Sequence, residues 1–198
     1  MLGPLFLLIA GVSGSWAADY ELLLEDPDIV SPCTEPAPGS LHFADLFNMD
    51  DFVFQQDADI IRLNGNLTSI WDVQPTDRIS ARFSTMHFER GNWEPTVFSV
   101  FTPDFCSMMF DEERYWFKYW TSFISNREEI EEKCIRTRGT VLVHIPFDFR
   151  LFIRNISAPN IKGRYKLVSV FEAFDENDIR RQNSICFEIR GEVDKVKK

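Results

Sequence analysis

Apolar and polar residues alternate through most of the chain. In "FDFRLFIRNI", Phe147, Phe149, Leu151 and Ile153 alternate with Asp148, Arg150 and Arg154. In "ICFEIRGEV", Ile185, Phe187 and Ile189 oppose Glu188, Arg190 and Glu192. A period of two puts each set on one side of a β-strand. "TVLVHI" and "RYKLVSVFEAF" add two further strands. Upstream, "ADIIRLNGNLTSIWDV" predicts two strands joined at Asn64-Gly65, a pair favoured at hairpin tips. "RISARFSTMHFERGNWEPTVFSVF" predicts a hairpin turning near Gly91-Asn92. Within it the apolar set moves from Ile79, Ala81 and Phe83 to Met86 and Phe88, which predicts a bulge near Ser84-Thr85. Short strands with frequent turn signals predict an all-β fold, an antiparallel β-sandwich or β-cup.

Two segments leave this pattern. Residues 18–40 are acidic and then proline-rich ("EDPDIVSPCTEPAPGS"), which predicts an extended arm tethered by Cys33. Between Cys106 and Cys134 the period becomes helical. Met109, Trp116, Trp120, Phe123 and Ile124 fall on one side, with Phe117 beside them; Asp111, Arg114, Lys118, Thr121 and Ser122 fall on the other. Asp111 is a candidate cap for this helix, and Ser125-x-x-Glu128 is a capping box for a second helix running to Cys134. The division is residues 1–17, a leader; 18–40, the arm; and 41–198, a single β-cup domain with one helical insertion.

The leader reading rests on a short apolar run, Leu5 to Val12, with Ser15 and Ala17 spaced for cleavage before Ala18. It makes the expected location extracellular. In that setting four cysteines imply two disulfides with three possible connectivities. The bracketing of the helical segment favours Cys106–Cys134, and leaves Cys33–Cys186. Asn66-Leu67-Thr68 and Asn155-Ile156-Ser157 are glycosylation sequons, and the expected hairpin tip places Asn66 in solvent.

Composition narrows function. The 198 residues carry a net charge of -10, which disfavours nucleic acid and docking on anionic lipid. Charges interrupt every apolar run after the leader, so no membrane span is expected. No nucleophile elbow, zinc-protease helix or phosphate loop is present. His144 lies in an apolar strand, where a histidine is usually a hydrogen-bonded core residue. Asp57/Asp59 and Asp175/Glu176/Asp178 read as solvated turns, so no metal, cofactor or enzymatic activity is expected; a hydrolase with a carboxylate pair is the minor rival. The unusual feature is 19 phenylalanines. Trp116, Trp120, Phe117, Phe98, Phe149 and Phe171 are the candidate lining of an apolar cavity between splayed sheets, or else plain core.

The order of features is itself informative: leader, arm with Cys33, paired strands, the insertion "DFCSMMFDEERYWFKYW…EEKC", then "IKGRYKLVSVFEAFDENDIRRQNSICFEIRGEV" with Gly163-x-Tyr165 and a final cysteine strand. This layout resembles the ganglioside-activator-like proteins, and within them the insect chemosensory-B group. The cysteine pairs above match that layout, although ganglioside activators have further bridges that this chain lacks. The resemblance implies a β-cup holding a lipid or other long-chain hydrophobic molecule, without catalysis of its own. It also implies a role in taste or pheromone detection, with a sensory-neuron receptor or channel as partner. The alternative is a ligand-free extracellular module that partners a membrane receptor.

Overall fold

The computed structural model describes residues 17–26, 29–57, 60–157 and 161–196. The expected leader, apart from Ala17, and Asp59 lie outside them. The first half contains β1 (Ala18–Leu24), β2 (Val30–Pro32), β3 (Ser40–Leu41), α1 (Phe43–Leu46), β4 (Phe47–Asn48), β5 (Phe52–Asp57), β6 (Ile60–Ser69), β7 (Arg78–Glu89) and β8 (Asn92–Thr102). The second half contains α2 (Phe105–Met108), α3 (Tyr115–Tyr119), a single 3-10 turn (Thr121–Phe123), α4 (Arg127–Ile130), β9 (Val141–Phe149), β10 (Leu151–Ile156), β11 (Gly163–Phe174) and β12 (Arg180–Lys195). The fold is all-β and cup-like. A large sheet in the order β10-β1-β12-β11-β7-β8 curls into a half-barrel. A second sheet has β6 at its centre, with β4 and β5 on one edge and β9 on the other.

Alternation explains the concave face of the large sheet. Ala81, Phe171 and Ile185 sit side by side in register across β7, β11 and β12, as do Ile79 and Ala173. Ile79, Ala81, Ala173 and Ile185 are wholly buried. Small alanines beside large rings let the layers interdigitate at interior density. The β7–β8 hairpin turns through Arg90 and Gly91, both at positive φ (52° and 87°), as a two-residue primed turn requires. A register shift in the β7–β8 ladder falls at Ser84 to Met86, where the bulge is expected, but the extra residues are on β8; β7 keeps its phase against β11, so Met86 and Phe88 do not join the face of Ile79, Ala81 and Phe83.

Two strand expectations are corrected. Asn64-Gly65 is not a hairpin tip; both residues lie inside β6, at a register shift opposite β9. Gly65 is there for close approach. Its φ is +111°, and a Cβ would stand 2.1 Å from the Asp51 carbonyl oxygen. Asn66 is therefore half-buried in a central strand, while Asn155 is exposed at the end of β10 with φ of 58°. "FDFRLFIRNI" is also not one strand. It breaks at Arg150, so Phe147 and Phe149 belong to the second sheet and Leu151 and Ile153 to the first. Arg150 marks the crossing, bound in two places to Glu21 of β1 (2.6 and 2.9 Å).

The arm is extended, and it is part of the large sheet. β1, β2 and β3 lie end to end along one edge of β12: Leu24 opposite Gly191, Val30 opposite Ile189, Pro32 opposite Phe187 and Ser40 opposite Ser184. The disulfides are Cys33–Cys186 and Cys106–Cys134. Beside the first lies Glu188, on the outer face of β12 yet only 1% exposed. Its carboxylate accepts from Lys166 Nζ (2.8 Å), Arg190 Nη2 (2.7 Å), Thr34 N (2.9 Å) and Thr34 Oγ1 (2.8 Å). Burial would raise its pKa, but these donors outweigh burial and hold it below the ordinary glutamate value.

Two stability outcomes follow from these contacts, each measurable by urea unfolding. Lys166→Met leaves the buried carboxylate without its buried cation and costs on the order of 2–3 kcal/mol. Gly65→Ala costs at least about 2 kcal/mol because the backbone of Asp51 must move, whereas Gly91→Ala, with open space around it, costs about 1 kcal/mol or less. Equal effects at the two glycines would refute the close-approach account.

Candidate functional site

The concave face is covered unevenly. Along β11 its inward residues run from Ala173 (0% exposed), Phe171 (3%) and Ser169 (1%) to Leu167 and Tyr165, both half-buried. β7 repeats the trend: Ile79 and Ala81 are buried, then Phe83, Thr85 and His87 are half-buried. On the β7–β11 side the cup is sealed at one end and partly open at the other; across β12 and β1 it stays closed, with Val193 2% and Tyr20 3% exposed. Tyr165 and His87 stack at 4.5 Å near the open end.

The cysteine-bracketed insertion covers the face, but not as the long amphipathic helix expected. α3 has five residues and no side-chain cap; the second expected helix is only the four residues of α4. Thr121, expected on the polar side, turns inward and donates to the Met109 carbonyl at 2.6 Å. Asp111 does not cap α3; it accepts from Glu113 N and pairs with Arg114. Ser125 donates to the Val143 carbonyl instead of capping α4. Asn126 donates to Val141 O and accepts from Val143 N, so this stretch docks on β9. Hydrogen bonds to a sheet edge outweigh the weak preference of a short helix.

Rings tie the insertion to the sheet. Asp104 caps α2, accepting from Ser107 N at 3.2 Å, and positions Phe105. Phe105 is fully buried, with ring centroids 5.2 Å from Phe171, 5.4 Å from Trp116 and 6.4 Å from Trp120. Trp116 packs on Phe83 at 5.4 Å and donates from Nε1 to Met108 O. Tyr119 donates to the Phe152 carbonyl of β10 at 2.5 Å. α3 thus reaches from β7 to β10, bridging towards the two edges of the curled sheet.

The six candidate lining residues separate into groups. Trp116, Phe171 and half-buried Trp120 meet through Phe105. Phe149 is half-buried in a second cluster around Ile61, Leu63, Phe147 and Ile189. Phe117 is half-buried on α3. Phe98 is half exposed on the edge strand β8, beside Val97 and Phe101, and is not brought to the others. Phe83, Phe105 and His144 were not among the candidates. The inward alternation of β7 marks Phe83, and adjacency to Cys106 marks Phe105; the apolar strand around His144 marks it as a core residue but not as a neighbour of these rings.

His144 is 3% exposed and ringed by Phe52 (5.4 Å), Trp120 (6.2 Å) and Phe147 (6.1 Å). Its Nδ1 is 3.2 Å from the Leu142 carbonyl oxygen. A carbonyl can only accept, so the neutral ring carries its proton on Nδ1. Nε2 is buried with no partner among the described residues. Burial pushes the pKa down to about 4, outweighing the backbone groups of Leu142 and Gly65 that favour the charged form.

A separate open cleft of about 340 Å³ lies between α2 and α4, lined by Asp104, Asp111, Glu131, Arg127, Arg136 and Phe110 among others. Charges of both signs make it a poor seat for a hydrocarbon chain. Among the described residues no cluster of three His, Cys, Asp or Glu side chains is placed to hold a metal ion. No described helix is long and apolar enough to cross a membrane. The chain matches no family model, and no curated protein matches it.

The buried imidazole sets a pH dependence. The unfolded ring takes up a proton below about 6.5, whereas the folded ring resists until about 4. Its contribution is complete above pH 6.5 and is lost as pH falls through that window, about 3 kcal/mol in total. Urea unfolding at intervals from pH 7.5 to 4.5 tests this against His144→Phe. The wild type loses stability faster on acidification; parallel curves for the two proteins would remove His144 as the cause.

Proposed function

We propose that the protein is a secreted carrier that binds or presents a hydrophobic molecule, a lipid or pheromone-like compound, and acts in chemosensory detection. The observation that carries this reading is the gradient along the β7 and β11 side of the concave face. One and the same apolar surface is sealed around Phe171 and half-covered around Phe83, Leu167 and Tyr165. An apolar face left partly uncovered under a short cross-piece suits an apolar guest. The rings of Phe105, Trp116 and Trp120 already fill the sealed part. Room for a guest therefore comes at the open end, with α3 moving outward against its Tyr119 tie to β10. Two disulfides are compatible with an extracellular setting, and the resemblance in layout supplies the sensory context, with a sensory-neuron receptor or channel as the recipient.

A second reading has its own observation. On the free edge strand β8, Val97 is 92% exposed, and Phe98 and Phe101 are half exposed. An apolar sheet edge of this kind fits a protein–protein contact, and so favours a ligand-free module that partners a membrane receptor.

Protein from a secretory host separates the two. Native mass spectrometry and solvent extraction are expected to recover a bound or exchangeable hydrophobic molecule. N-phenyl-1-naphthylamine is expected to bind and to perturb tryptophan emission, with Trp120→Ala weakening it about fivefold or more. Protein that carries no such molecule, and whose emission the probe leaves unchanged, would overturn the carrier reading in favour of the β8 contact.

A further inference from the structure

We propose that His144 is the polar anchor for the bound molecule: its Nε2 accepts a hydrogen bond from a hydroxyl group on an otherwise apolar ligand. The inference rests on the carrier reading and names the class of guest. Three observations carry it.

First, the ring is deep and its Nε2 has no partner among the described residues. A buried acceptor left dry is unfavourable and rare in folded proteins, and it marks a place where something else completes the bond. Second, the identity of the missing partner is constrained. The Leu142 carbonyl holds the proton on Nδ1, so Nε2 offers a lone pair and requires a donor. Third, the ring's location fits. Of the buried side-chain atoms without a partner, His144 Nε2 belongs to the ring that packs against Phe52 and Trp120, both half-buried. Trp120, just past the end of α3, also packs against Phe105 and Phe47 in the ring network. A guest that lifts α3 and slides along Trp120 meets aromatic rings on its flanks and one acceptor at its end.

This arrangement discriminates by chemistry. A long-chain alcohol supplies the donor. An ether, an ester or a plain hydrocarbon supplies none and leaves Nε2 unpaired. A fatty carboxylate is worse: it brings a negative charge and only acceptor lone pairs to a lone pair in an apolar surrounding. The expected order is alcohol above ether, and ether above carboxylate.

The test displaces N-phenyl-1-naphthylamine from the full chain with 1-dodecanol, dodecyl methyl ether and dodecanoate at neutral pH. In the wild type the alcohol binds roughly tenfold more tightly than the ether, the scale of one hydrogen bond to a buried group. In His144→Phe, which keeps a ring against Phe52 and Trp120, the ether binds as before and the alcohol's advantage disappears. Should that variant lose its near-UV circular dichroism, the wild type decides alone. With 15N-labelled histidine, dodecanol moves the Nε2 resonance of His144 and the ether does not. Equal affinity for alcohol and ether, an advantage retained in His144→Phe, or an Nε2 signal indifferent to dodecanol would overturn the anchor and leave the carrier reading standing. Failure of all three compounds, and of the probe itself, to bind would overturn both.

Discussion

Phe105 is the contact on which the upper half of the molecule depends. Its ring is fully buried and meets Phe171 of β11 edge-on, Trp116 within α3 and Trp120 just beyond it. Its neighbour Cys106 is bonded to Cys134, so the ring is fixed at one end by a covalent bridge and at the other by the sheet. A helix as short as α3 has no stability of its own. It exists because Phe105 gives both tryptophans a surface to pack on, and because Tyr119 finds a carbonyl on β10. The closure of the cup is thus a property of one phenylalanine and one disulfide rather than of helix propensity.

β12 plays the corresponding role for the sheet, with two faces of opposite chemistry. Inward, Ile185, Phe187 and Ile189 enter the apolar clusters. Outward, Glu188 is buried with Lys166 and Arg190 beneath Thr34 of the arm. A buried ion pair contributes little net stability, but breaking it is costly, so it fixes where the arm must lie. Cys33–Cys186 makes the same placement covalent. The arm and the cup are one cooperative structure for this reason.

The sequence was legible where a residue's environment is set by its own strand. The alternation in β7, β11 and β12, the Arg90-Gly91 turn, the place of the register shift at Ser84 to Met86 and both disulfides follow from local pattern and cysteine placement. It misled where the partner is distant. Asn64-Gly65 has the residues of a hairpin tip, yet the glycine answers the Asp51 backbone packed against it. Glu188 keeps the polar phase of its strand, yet the arm buries it. "FDFRLFIRNI" keeps an unbroken period of two across a change of sheet, because Arg150 turns the chain without disturbing the count. In the insertion, Thr121 and Asn126 bond to backbone brought near by folding, which no helical wheel can show. The candidate site was half legible for the same reason: its rings were visible as rings, but their sorting between core, rim and edge was decided by β8, β9 and β10.

The arm also constrains the order of events during folding. β1 is made before the rest of the described strands, yet it pairs with β10 and with β12, the last of the described strands. Cys33 waits across 153 residues for Cys186. Until β12 is made, residues 20–24, 30–32 and 40–41 lack the strand they lie against and form a nascent edge. Their composition suits that interval. Glu21, Glu25 and Asp26 repel like segments, and Pro32, Pro36 and Pro38 withhold backbone donors from stray strands. The acidic, proline-rich character that looks like a linker is what lets the first strand arrive last.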